Sequence, residues 1–213
     1  ALSAARRRLA FEELFLLALG LKLLRERRTF VAGKQCQSVD LSPFFATLPF
    51  SLTGAQRRAI DDIARDLTGE RPMNRLVQGD VGSGKTMVAA AAIYMAAKSG
   101  LQCALMAPTE ILAEQHYRSL APLLEPLGIP CALLTASTKA RERRVLNERL
   151  RSGELSLVIG THALLSPDVQ YQNLGLVVTD EQHRFGVDQR AALSAKGDDP
   201  HLLVMSATPI PRT

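Results

Sequence analysis

Residues Gly79 to Thr86 read GDVGSGKT, a glycine, four positions and then Gly-Lys-Thr, and a later apolar run ends in Val177-Val178-Thr179-Asp180-Glu181. The first spacing is that of a phosphate cradle, in which Gly79, Asp80, Gly82, Ser83 and Gly84 offer backbone N–H groups to a nucleoside triphosphate. Lys85 is the cation expected to reach the β- and γ-phosphates, and Thr86 the hydroxyl expected on Mg²⁺. Gly82 and Gly84 let the backbone approach phosphate without a Cβ in the way. Asp180 is placed to hold the magnesium through its water shell, and Glu181 to orient and deprotonate the attacking water. An Asp-Glu pair alone reads as a solvated strand end; behind a strand and beside a phosphate loop it reads as ATP chemistry.

The cradle works only between a strand and a helix whose free N–H groups face the phosphates. Met73 to Gln78 predicts that strand, and the alanine-rich, proline-free Thr86 to Lys98 predicts that helix. A helix over Thr53 to Leu67 comes before them. After them the pattern predicts strand Gln102–Ala107, helix Glu110–Leu124, strand Ile129–Leu134, helix Lys139–Ser152, strands Leu155–Gly160 and Leu174–Thr179, helix Val187–Ala195 and strand His201–Met205. Short apolar strands alternating with helices give an α/β, three-layer fold with a mainly parallel central sheet, its functional loops at the carboxyl ends of the strands.

The 213 residues, 46% apolar and 22% charged, suffice for one domain with an appendage. Cys36, Cys103 and Cys131 lie too far apart for a disulfide framework, and two of them fall in strand-like runs that predict core thiols. His116, His162, His183 and His201 show no metal-ligand spacing. The net charge of +5 suggests a basic face, but residues 1–34 hold eight bases against three acids and the rest of the chain is balanced. Charge alone therefore predicts no extended nucleic-acid surface on the main domain.

Residues 4–28 contain no proline and carry the apolar run Leu14 to Leu21 between arginines, which predicts one long helix. It is too short and too charged at Glu12, Glu13 and Lys22 to span a bilayer, and it lacks the cleavage site of a signal peptide. A helix apolar nearly all round needs a covering surface.

Six strings in order, LPFSLTGAQ (48–56), GDVGSGKT (79–86), APTEILAEQH (107–116), IGTHAL (159–164), DEQHRFG (180–186) and SATPIPRT (206–213), resemble the first motor lobe of a superfamily 2 helicase. Within it the pattern is most similar to the RecG family of branched-DNA helicases. The transcription-repair coupling family Mfd is similar, but with DEEHRFG and GDVGFGKT, so Gln182 and Ser83 favour the former. The resemblance implies a P-loop, RecA-like lobe over 48–213, a connecting helix over 1–30 and a linker over 31–47. It also implies that a second lobe with arginine fingers and a branch-recognising wedge domain belong to the same polypeptide. This lobe alone is then expected to bind nucleotide weakly and hydrolyse it slowly.

By the same resemblance Gln56 and Phe50 read adenine, the amide along the base edge and the ring on its face. The competing reading of Gln56 is a capping box with Thr53, and the two hold together only if Gln56 turns from its cap. Gln182 and His183 are expected to link the γ-phosphate to Ser206, Ala207 and Thr208. Pro108, Thr109, Glu110, Gly160, Thr161 and His162 are the expected contacts to the DNA backbone, made through small polar groups and N–H donors. The whole protein is then a monomeric, cytoplasmic bacterial enzyme that couples ATP hydrolysis to remodelling of stalled forks and Holliday junctions in recombination and repair. An Mfd-like duplex translocase, a P-loop ATPase acting on protein or in transport, and a non-catalytic nucleotide-binding module are the alternatives. Gln182, His183 and the SAT string oppose the ATPase, and intact Lys85, Thr86, Asp180 and Glu181 oppose the inert module.

Overall fold

The computed structural model describes residues 6, 8, 11–20, 34–180, 192, 193 and 195–207, and the chain divides into two units, Ala1–Ala32 and Gly33–Thr213. In the first unit residues 11–20 form helix α1. Arg8 pairs with Glu12 at 3.1 Å one turn on, Phe11 stacks on Phe15, and Phe11, Leu14, Leu16 and Leu17 are exposed. The remainder of the helix expected over 4–28 lies outside the described residues.

In the second unit the apolar runs become six strands: β1 (Asn74–Gln78), β2 (Gln102–Met106), β3 (Cys131–Leu134), β4 (Leu157–Gly160), β5 (Leu174–Asp180) and β6 (His201–Ser206). Their order is β1-β6-β5-β2-β4-β3 and every pairing is parallel. All residues of β2 and β4 are buried, as a sheet covered on both faces requires. Alternation along β5 sends Leu176 and Val178 to one apolar layer and Val177 to the other.

Helices α3 (Gly54–Leu67), α4 (Lys85–Lys98) and α5 (Glu110–Leu124) cover the first face, and α6 (Ala140–Arg151) covers the second. Ile60, Ile63 and Leu67 form the buried stripe of α3, at the three- and four-residue spacing of an amphipathic helix. α4 has no polar side to spare: Val88 to Ala96 are all buried. Its alanines let the sheet and α3 approach closely, and burial of Ile93 alone stabilises by about 1.5–3 kcal/mol. The helix expected over 187–195 lies largely outside the described residues.

From residue 34 onward the stretch read as a linker is part of the lobe. The Cys36 N–H donates to the Leu67 carbonyl at 2.9 Å, and a short helix α2 (Ser42–Ala46) begins with Pro43 in its first turn. It buries Phe44 completely, with its ring 5.7 Å from that of Tyr94. All three cysteines are buried free thiols, including Cys36, which no strand pattern marked.

His201 joins three segments at the start of β6. Its Nδ1 accepts from the Met73 N–H at 2.9 Å and its Nε2–H donates to the Lys34 carbonyl at 2.6 Å, so the buried ring is the neutral Nε2 tautomer. Burial holds its pKa below the ordinary 6.5, although the Lys34 carbonyl opposes this. Above about pH 6.5 the ring is neutral in folded and unfolded chains and its contribution is whole. As pH falls below that value the unfolded ring binds a proton that the folded ring refuses, and the contribution is lost until pH passes the lowered folded value. Urea unfolding is therefore expected to give lower stability at pH 5.5 than at 7.5, with a smaller difference in His201→Gln. An equal difference in both proteins would refute this.

Candidate functional site

Parallel strands place their carboxyl ends along one edge, and the described sequence-predicted site residues of the lobe other than Phe50 and Gln56 lie at those strand ends or in the loops and helix starts that follow them. Gly79 to Gly84 turn between β1 and α4 with Gly82 and Gly84 at φ +81° and +79°, a left-handed backbone that favours glycine. The Gly79 N–H donates to the Ser206 carbonyl at 3.2 Å and the Ser83 N–H to the Asp80 carbonyl at 3.1 Å. Gly84 is the N-cap of α4 and has no side chain to close the helix end. Lys85 Nζ donates to the carbonyls of Gly79 at 2.7 Å and Asp80 at 2.8 Å.

Val81, Gly82, Gly84, Lys85, Thr86, Leu112, Asp180, Met205 and Ala207 line one cavity of about 300 Å³. It brings together the phosphate loop, the first acidic residue and Ala207 from the end of β6. Glu181, Gln182, His183 and Thr208 lie outside the described residues. Ser206 is buried.

Asp180 has a partner that sequence reasoning missed: His116 Nε2–H donates to its Oδ2 at 2.7 Å. His116 lies on α5 in the buried stripe of Ala113, Leu120, Ala121 and Leu124. A polar ring at a core position of an otherwise apolar stripe was the available signal, since such a group needs a partner.

The capping box is formed: the Thr53 N–H donates to Gln56 Oε1 at 2.8 Å and the Gln56 N–H to Thr53 Oγ1 at 3.2 Å. Gln56 Nε2 also donates to the Ser83 carbonyl at 2.9 Å, tying the start of α3 to the phosphate loop. A Cβ on Gly84 would meet that nitrogen and displace the Gln56 amide from the loop. An amide carries two N–H groups and two lone pairs, so the cap and the Ser83 bond use half of it, and Gln56 need not leave its cap to bind a base. Phe50, half exposed, lines a separate cavity of about 420 Å³ with Phe45, Leu48 and Arg57. The Arg57 guanidinium lies 5.7 Å from the Phe45 ring centre.

Pro108, Thr109 and Glu110 follow β2. Thr109 caps α5, accepting from the Leu112 N–H at 3.3 Å, and Glu110 accepts from the Ser137 hydroxyl at 2.9 Å in the loop after β3. Both side chains thus hold local structure. Gly160, the last residue of β4, packs directly beside the Leu134 carbonyl; after it His162 is exposed, and the buried Thr161 hydroxyl has no hydrogen-bond partner among the described residues. This loop is pinned by Asp168, which accepts from Arg143 at 2.8 and 3.0 Å, Asn147 at 2.9 Å and Ser166. Arg143 foremost, then Ser166, holds the Asp168 carboxyl well below the usual carboxylate range.

No helix among the described residues is long and apolar enough to cross a membrane. The chain is 53% identical over its whole length to the ATP-dependent DNA helicase RecG of Synechocystis sp., covering 26% of that protein. It is 50% identical to RecG of Bacillus subtilis, again over its whole length and 32% of the relative. The chain thus spans about a third or less of the curated relatives it matches. A solved structure of RecG bound to a three-way DNA junction superposes with a TM-score of 0.86 at 47% identity, over 99% of this chain and 28% of that one. The family model of the DEAD/DEAH box helicases matches residues 53–213, three quarters of the chain and the whole of the motif-bearing sheet, and the chain belongs to that family.

Proposed function

We propose that this lobe binds ATP with Mg²⁺ and, within a longer bacterial cytoplasmic protein, couples its hydrolysis to remodelling of branched DNA. The observation that carries the reading is the shared cavity of Lys85, Thr86 and Asp180, set in a chain half identical to RecG proteins. One carboxylate and one hydroxyl lining the same cavity suit Mg²⁺. Thr86 and Asp180 would hold such an ion, with water and phosphate completing its shell. When bound it neutralises charge on the β- and γ-phosphate oxygens.

The chain's own residues do the rest. The loop amides and the start of α4 hold the phosphates, with Lys85 transferring from the Gly79 and Asp80 carbonyls to the phosphate oxygens. Thr86 and Asp180 hold the metal side, and Glu181 orients the attacking water. Gln182 and His183 pass the nucleotide state to Ser206, Ala207 and Thr208. Phe50 packs on the adenine, while Gln56 addresses its edge with the amide capacity that Thr53 and Ser83 leave. Pro108, Thr109, Glu110, Gly160, Thr161 and His162 meet the DNA backbone, mainly through main-chain groups, since Glu110 and Thr109 are otherwise engaged. A second lobe and a wedge domain of the same monomeric polypeptide complete the motor.

In the full-length protein a three-way DNA junction is expected to stimulate ATP turnover more than linear duplex of equal length, and Asp180→Asn to abolish both. Equal stimulation by linear duplex would favour a duplex translocase. Turnover indifferent to DNA would overturn the reading.

A further inference from the structure

We infer that His116 is a positioning residue for Asp180, fixing the carboxylate so that one oxygen serves the magnesium side of the site. The inference rests on the reading of Asp180 and Thr86 as the magnesium residues. A carboxylate at a strand end has a broad torsion about its last bond, so nothing in the strand itself determines which oxygen meets the cavity. His116 removes that freedom: its Nε2–H holds Oδ2 at 2.7 Å and leaves Oδ1 to the metal's water shell.

The ring can do this because it is itself held. It is 8% exposed and sits in the core stripe of α5 between Ala113 and Leu120, so turning away would open the packing. The helix is fixed at its start by the Thr109 cap and by the two bonds from Ser137 to Glu110. His116 lies about two turns, ~10 Å, along the axis from that anchor. Oriented donors behind a metal-side carboxylate act on metal affinity rather than on the fold alone, and their loss lowers it by about 10- to 100-fold.

The test uses the full-length protein and a fluorescent, non-hydrolysable ATP analogue, methylanthraniloyl-AMPPNP, titrated with EDTA or with Mg²⁺ at constant pH. Wild type is expected to gain affinity with Mg²⁺, and Asp180→Asn calibrates the loss of that gain. His116→Phe, which fills the space without a donor, is expected to lose about tenfold of the gain with its metal-free affinity unchanged. His116→Gln, whose amide nitrogen reaches the Nε2 position, is expected to retain most of it. If His116→Phe does not fold, His116→Asn, too short to reach, takes its place against His116→Gln. An undiminished gain in His116→Phe, or equal weakening with and without metal, would overturn the inference. Absence of any gain in wild type would instead remove the magnesium reading of Asp180 and Thr86, and this inference with it.

Discussion

Lys85→Ala is expected to lower kcat for junction-stimulated ATP hydrolysis in the full-length protein by about 10²–10³-fold, with the fold intact. Lys85 is placed by the first turn of α4 against a loop held in a left-handed bend at Gly82 and Gly84. Its ammonium makes two short bonds to the loop carbonyls in the cavity that also contains Thr86 and Asp180. A fixed cation aimed at charge that grows on phosphate stabilises the transition state more than the bound substrate, so the loss falls on kcat as well as on affinity. The same two bonds set the structural effect. Each bond from the charged ammonium contributes about 1.5–3 kcal/mol before solvent screening, and at this partly exposed loop water replaces the lost donor, so the domain stays folded. Steady-state turnover at saturating ATP and DNA, read beside thermal unfolding, separates the two. A fall of less than tenfold would place Lys85 away from the phosphates.

Gly160→Ala is expected to destabilise the lobe by about 3 kcal/mol and lower Tm by about 6–12 °C. A Cβ there would come within 2.1 Å of the Leu134 carbonyl oxygen and 3.1 Å of Leu164. The first obstacle is backbone of the adjacent strand, paired with Gly160 in register, so no rotamer relieves it. β3 and β4 must separate, or the turn His162–Leu165 must shift. Gly100→Ala provides the contrast: nothing lies within 4 Å, and only its φ of +77° is unfavourable, at about 1–2 kcal/mol. Urea unfolding of both variants should rank them in that order. The reverse ranking would show that strand spacing is not what selects glycine at 160.

The elements were legible because each carries its own period. The helix expected over Glu110–Leu124 is found at those bounds, and the strands before the phosphate loop and before Asp180 differ from expectation by one residue. The stretch 34–47 was not legible. Cys36 stands alone and Phe44 falls in the short run Phe44-Phe45-Ala46, neither with a period, and only their packing within the lobe marks them as core. Gln56 shows a different gap: its cap could be read from Thr53 three residues earlier, whereas its bond to Ser83 spans 27 positions and depends on how α3 meets the phosphate loop. His116 and Asp180, 64 positions apart, depend likewise on the lateral placement of α5 over the sheet. The Arg143–Asp168 pair belongs with them. Local pattern specifies an element and its buried face; partners between elements follow from sheet order, which no local pattern encodes.

Strands β1 and β6 run side by side in register from Asn74↔Leu202 to Gln78↔Ser206. They are fastened at one end by Met73 with His201 and Leu202 and at the other by Gly79 with Ser206. In mechanical terms this is a shear joint. A load that pulls the phosphate loop along the strand axis meets all of the ladder bonds together rather than one after another. Displacement of Gly79 is therefore delivered to Ser206 without slack, and the joint would yield all at once or not at all.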